Sequence, residues 1–117
     1  GTVYFAPPGY HLLVEADRSF ALSMDEPVLF SRPSIDILFE SAADSYGSAL
    51  LGIVLTGANE DGAAGAAAIG MAGGKVLVQE PDGAFASAMP SAALARCPTA
   101  QRQSLDMIAD HLVRLGA

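Results

Sequence analysis

Apolar residues change their spacing several times along the chain, and each change marks an element. Thr2 to Ala6 is a short β-branched and aromatic run, stopped by Pro7-Pro8-Gly9. It reads as a strand. His11 to Glu15 and Phe20 to Ser23 are two further runs separated by Ala16-Asp17-Arg18-Ser19, a spacing that predicts a small antiparallel excursion. Pro27 and Pro33 bracket a loop containing Arg32. From Pro33 onward the period becomes helical. Ile35, Leu38, Phe39, Ala42 and Tyr46 share one face, and Asp36, Glu40 and Asp44 take the other. Proline near the first turn and Gly47 at the end give this amphipathic helix sensible boundaries.

Ala49 to Leu55 is apolar without alternation, as expected for a strand covered on both faces. Asp61 to Ala72 is rich in Ala and Gly and ends at Gly73-Gly74, which suits a helix lying close against a sheet. Lys75 to Gln79 is a second buried strand, closed by Pro81-Asp82-Gly83. Strand, helix and strand within about thirty residues predict a βαβ unit with a right-handed crossover. Met89-Pro90 opens a short Ala-rich helix to Ala95. Leu105, Ile108, Ala109, Leu112 and Leu115 mark a final amphipathic helix, with Ser104 as N-cap, Asp106 in its first turn, and Arg114 before Gly116. The expected fold class is α/β: a doubly wound, mainly parallel sheet with helices on both faces.

Composition narrows this picture. The 117 residues suffice for one domain, and 51% hydrophobic residues supply a core. No apolar run approaches the ~18 residues of a bilayer span, and no basic-then-apolar leader opens the chain. Neither membrane insertion nor secretion is expected. Cys97 is the single cysteine, so a reducing cytoplasm is the default compartment. Thirteen acidic residues against six basic ones give a net charge of −7, with no Lys/Arg cluster, which argues against nucleic-acid binding. Gly1-Thr2-Val3-Tyr4 runs at once into a strand-like segment and reads like the middle of a domain.

Open α/β sheets place their sites beyond the carboxyl ends of the strands. Thr56-Gly57-Ala58-Asn59-Glu60-Asp61-Gly62 occupies that position after the strand ending at Leu55. Asp61 has two readings there: a functional carboxylate, or a cap on the Ala-rich helix that follows. Phosphate binding is weaker, because the glycine spacing fits no phosphate fingerprint and two acids would repel the ligand. Arg32 is a candidate for binding substrate, or else pairs with Asp36 or a loop carbonyl. His11 is a candidate for shaping the site, or else a hydrogen-bonded turn residue. Asp36 reads as a dipole or capping residue, Glu60 as solvated, and Met71, Met89 and Met107 as core fillers. Cys97 reads as a small hydrophobe, with no His or Cys near it to make a metal site.

Leu55-Thr-Gly-x-x-x-Asp61-Gly-x-x-Gly65, then Gly73-Gly74, Val78-Gln79-Glu80-Pro81 and Met89-Pro90, closely resembles the catalytic domain of the chemotaxis protein-glutamate methylesterases. Two upstream segments agree: Tyr4-Phe-Ala-Pro-Pro-Gly-Tyr-His11-Leu-Leu, and Arg32-Pro33-Ser34-Ile35-Asp36-Ile-Leu38-Phe39. The resemblance implies a serine esterase with a Ser-His-Asp triad and no cofactor or metal. Its substrates would be glutamyl methyl esters on chemoreceptor signalling helices, with glutamine deamidation as a second reaction. It maps the triad acid onto Asp61, which would hold and steady the histidine, and part of the oxyanion loop onto the backbone of Ala58 and Asn59.

In that family the nucleophile and the histidine precede the Tyr-Phe-Ala-Pro-Pro segment, and no serine here sits in a strand-to-helix elbow. Residues 1–117 are therefore expected to be the C-terminal part of a catalytic domain, without a receiver domain. A receiver domain and the N-terminal half of the domain join the receptor helices as expected partners. Alone, the chain is expected to be inactive. The competing hypotheses are a non-catalytic scaffold that retains the fold and a small-ligand-binding α/β module.

Overall fold

The computed structural model describes residues 1–116 and contains two sheets and four helices. Strands β1 (His11–Val14) and β2 (Phe20–Ser23) form an antiparallel hairpin in the register His11–Ser23 to Val14–Phe20. Its loop is closed by the Ser19 amide and hydroxyl, which both donate to Asp17 (3.0 and 2.6 Å). These bonds favour the charged carboxylate and hold its pKa below the usual value. The hairpin packs on helix α1 (Ile35–Tyr46). There the amide of Val14 donates to Ser41 Oγ, and the Arg18 guanidinium lies 4.6 Å from the Tyr46 ring centre.

Strands β3 (Leu51–Val54), β4 (Lys75–Gln79) and β5 (Gln101–Gln103) make a parallel sheet in the order β3-β4-β5. Helix α2 (Ala63–Met71) crosses from β3 to β4, and α3 (Ala88–Arg96) crosses from β4 to β5. The core lies between these helices and the sheet. Val54, Val76 and Val78 meet Ala66, Ile69, Ala93 and Cys97, with Phe39 and Met89 packed at the margins. Small residues on α2 let it approach both the sheet and α1 closely. Leu77 alternates to the opposite face and is also fully buried. Helix α4 (Leu105–Arg114) packs on β4 with Ile108 buried. The α/β class is as expected.

Two details differ from the sequence reading. Thr2 to Ala6 is not a strand: no neighbouring strand offers it a ladder among the described residues, and Val3, Tyr4 and Phe5 are exposed, with Tyr4 resting on Phe20. Strand β5 was not anticipated. Gln-Arg-Gln has no apolar alternation, and it is a strand because its backbone completes the ladder of β4. The N-cap of α4 is as read, with the Met107 amide donating to Ser104 Oγ at 3.2 Å.

Candidate active site

Asp61 lies beyond the carboxyl end of β3 and is 3% exposed. It does not cap the helix that follows it. Its Oδ1 accepts from Ser34 Oγ (2.8 Å) and the Asp36 amide (3.0 Å), and its Oδ2 accepts from the Ile35 amide (2.7 Å). These donors belong to the N-terminus of α1, where the orphan amides and the helix dipole favour an anion. Asp36 returns the contact. Its Oδ1 accepts from the amides of Gly62 (2.9 Å) and Gly65 (2.8 Å), at the start of α2. Each helix is thus capped by a carboxylate from the N-terminal region of the other. Each of these two buried acids sits among backbone donors.

The local sequence explains why this exchange forms. Gly62 has φ of +103°, a left-handed conformation that turns the chain from Asp61 into α2. Gly65 lets the helices touch: a Cβ there would lie 2.5 Å from Phe39 Cβ and 3.2 Å from Asp36 Cα. Asn59 Oδ1 accepts from the Asp61 amide (3.0 Å) and fixes the loop just before the acid.

The rest of the loop is tied to the start of α3. Thr56 Oγ1 donates to Ala86 O and accepts from the Ala86 amide, the Gly57 amide donates to Ala86 O, and the Met89 amide donates to Gly57 O. Gln79, at the end of β4, accepts the Thr56 amide through Oε1 (2.9 Å). Ala58 is exposed at the outer edge of this loop, and Glu60 is solvated.

His11 is 1% exposed and fully engaged. The Ser34 amide donates to its Nδ1 (3.1 Å), so Nε2 carries the proton that it donates to Glu26 O (2.9 Å). It braces the segment that holds Asp61, and its two ring nitrogens bond Ser34 and Glu26 rather than Asp61. Arg32 is half-buried and does not pair with Asp36; its Nη1 donates to the carbonyls of Met24 (3.1 Å) and Asp25 (3.4 Å). The structure therefore joins Asp61, Asn59, His11 and Arg32 through one braced segment. Ser34 and Gln79 were missed as site residues; each stands inside a motif that sequence reading noticed, but neither carries an unusual side chain. Cys97 is buried, with Sγ 3.6 Å from Thr99 Oγ1. Among the described residues no cluster of His, Cys, Asp and Glu is arranged to hold a metal ion, and no helix is long and apolar enough to cross a membrane.

The profile of the CheB methylesterase family matches residues 1–112. A protein of Leptospira interrogans is 48% identical over 115 residues, which is 98% of this chain and 60% of that protein. A Symbiobacterium thermophilum protein-glutamate methylesterase/protein-glutamine glutaminase is 34% identical over 97% of this chain and 32% of its own length. The crystal structure of the Thermotoga maritima CheB methylesterase catalytic domain superposes with a TM-score of 0.88 at 26% identity, covering 96% of this chain and 61% of that one. The chain thus spans at most about 60% of the length of these relatives.

Proposed function

The chain belongs to the CheB methylesterase family, and from that premise we propose that it supplies the acid and part of the oxyanion loop of an esterase site. The substrates are glutamate methyl esters on the cytoplasmic helices of chemoreceptors, and glutamine side chains are deamidated at the same site. Residues 1–117 form the C-terminal part of the catalytic domain, and the nucleophilic serine and the histidine come from the part of the protein that precedes it. The compartment is the cytoplasm, in keeping with the receptor helices it would act on.

In the reaction the serine oxygen attacks the ester carbonyl while the histidine takes its proton. The imidazolium then protonates the departing methoxide, giving methanol and a glutamyl ester on the serine. Water, deprotonated by the histidine, hydrolyses that ester to release the glutamate and return the proton to the serine. Asp61 holds the imidazole tautomer and offsets its transient charge. The amides of Ala58 and Asn59, which follow the anchored Gly57, are the loop donors offered to the oxyanion. Arg32 and His11 shape the site through the carbonyls they brace. The observation that carries this reading is the Asp61 carboxylate: buried, beyond the strand end, and fixed by three donors.

Those same three bonds also favour a second reading, a scaffold in which Asp61 serves α1 alone. Asp61→Ala in the full-length protein separates the two. The esterase predicts a fall in kcat on the order of 10³–10⁴-fold, measured as methanol release from a glutamate γ-methyl ester peptide. It also predicts a stability loss of about 1–3 kcal/mol, because three donors lose their acceptor. The assay therefore belongs at a temperature where circular dichroism shows the variant folded. Wild-type turnover by that folded variant would leave the scaffold standing.

A further inference from the structure

A carboxylate accepts at about four positions, two on each oxygen. Oδ1 of Asp61 already holds two donors, Ser34 Oγ and the Asp36 amide, and Oδ2 holds one, the Ile35 amide. One position remains, on Oδ2. Its direction is set by the N-terminus of α1, because all three donors belong to Ser34–Asp36. That turn is in its place because the Asp36 side chain is bound to the first amides of α2. Its other end is held by His11, which accepts the Ser34 amide at 3.1 Å.

We propose that Ser34 and Asp36 are positioning residues for the esterase reaction. They aim the last acceptor position of Asp61 Oδ2, the one that takes the imidazole N–H. The inference rests on the reading of Asp61 as the triad acid. Asp36 touches neither substrate nor histidine; it acts by clamping α1 to α2 at the acid. Ser34 acts by occupying Oδ1, so that the imidazole has a single oxygen to bind and a single orientation.

Full-length Ser34→Ala, Ser34→Thr, Asp36→Ala, Asp36→Asn and Asp61→Asn, assayed by methanol release from a glutamate γ-methyl ester peptide, test this. Asp36→Ala should lower kcat roughly 100-fold through misplacement of the acid, with KM unchanged. Asp36→Asn should keep most of kcat, since its side-chain carbonyl still accepts from Gly62 and Gly65. Ser34→Ala should lower kcat about tenfold, the worth of one hydrogen bond to a charged group. Ser34→Thr should restore it, because its hydroxyl can again donate to Asp61 Oδ1. An inactive Asp61→Asn beside wild-type kcat in Ser34→Ala and Asp36→Ala overturns the positioning role alone. Wild-type kcat in Asp61→Asn overturns the triad reading beneath it. Should Asp36→Ala fail to fold, Ser34→Ala decides: a lowered kcat rescued by Ser34→Thr supports the role, and an unchanged one overturns it.

Discussion

Two segments close together in sequence reach order by opposite means. At Ser34–Asp36, every donor aimed at Asp61 is paired and the side chains of Ser34, Asp36 and Asp61 are buried. At Val28–Ser31, a tight turn is closed by two backbone bonds (3.0 and 2.8 Å), yet Leu29 and Phe30 at its tip have φ of +49° and +64°. Phe30 is fully exposed. Left-handed backbone is disfavoured for bulky L-residues. The first segment is stabilised by its own residue types; the second runs against theirs and is closed only by its own backbone bonds. Arg32 and His11 fasten the chain just before that turn, through the carbonyls of Met24, Asp25 and Glu26. Order near the acid therefore depends on two kinds of residue, those that touch it and those that fasten the loop leading to it.

If the junction of α1 and α2 is as tightly built as its bonding implies, adding one methyl group there should be costly. Gly65→Ala places a Cβ 2.5 Å from Phe39 Cβ, and neither atom is at the end of a flexible chain. The helices must separate, which also stretches the Gly65 amide from Asp36. The expected loss is about 2 kcal/mol net, overpacking less the helical preference of alanine, read from urea denaturation. Gly83→Ala is the control, since a Cβ there meets nothing within 4 Å. Equal stability of the two variants would show the junction to be loose.

The turn should respond in the other direction. Replacing Leu29-Phe30 by Asn-Gly puts at both positions residues that accept positive φ in two-residue turns. The expected gain is about 1 kcal/mol, seen as a higher denaturation midpoint at constant slope. No change would mean that packing of the Leu29 side chain offsets its backbone strain.

The sequence disclosed much of this fold because apolar spacing drives most of it. β4 (Lys75–Gln79) matched its apolar run, and α1 and α4 matched their helical periods to within a residue or so. Gln101–Gln103 escaped because a polar strand is defined by the ladder it joins. The candidate site was legible only in part. Asp61 stood out by its place after a strand, and the structural role considered for it was local: a cap on the next helix. Its actual partners are on α1, 25 to 27 residues earlier in the chain. Spacing along a sequence does not disclose a contact made across two helices. The same holds for Asp36, read as a cap on its own helix and found capping α2.

Within α1 itself the comparison can be sharpened with a smaller change. Asp36 and Glu40 lie one turn apart, but only Asp36 has amides to accept from. Partial burial raises the pKa of Glu40, and the charges of Asp36 and then Asp44 raise it further. A carboxyl group with a raised pKa in the fold binds protons more readily folded than unfolded. Its contribution to stability therefore declines as pH rises from the unfolded carboxylate range through the folded value, and stays unfavourable above it. Glu40→Gln should thus stabilise the protein at neutral pH by about 0.3 kcal/mol, the usual size of a like-charge repulsion one helical turn apart. Below the carboxylate range the gain should vanish, because Glu40 is then protonated in both states. Thermal melts of both proteins at pH 7 and at acid pH check the sign. A gain that persists in acid would trace to side-chain packing and leave Asp36 and Glu40 electrostatically alike.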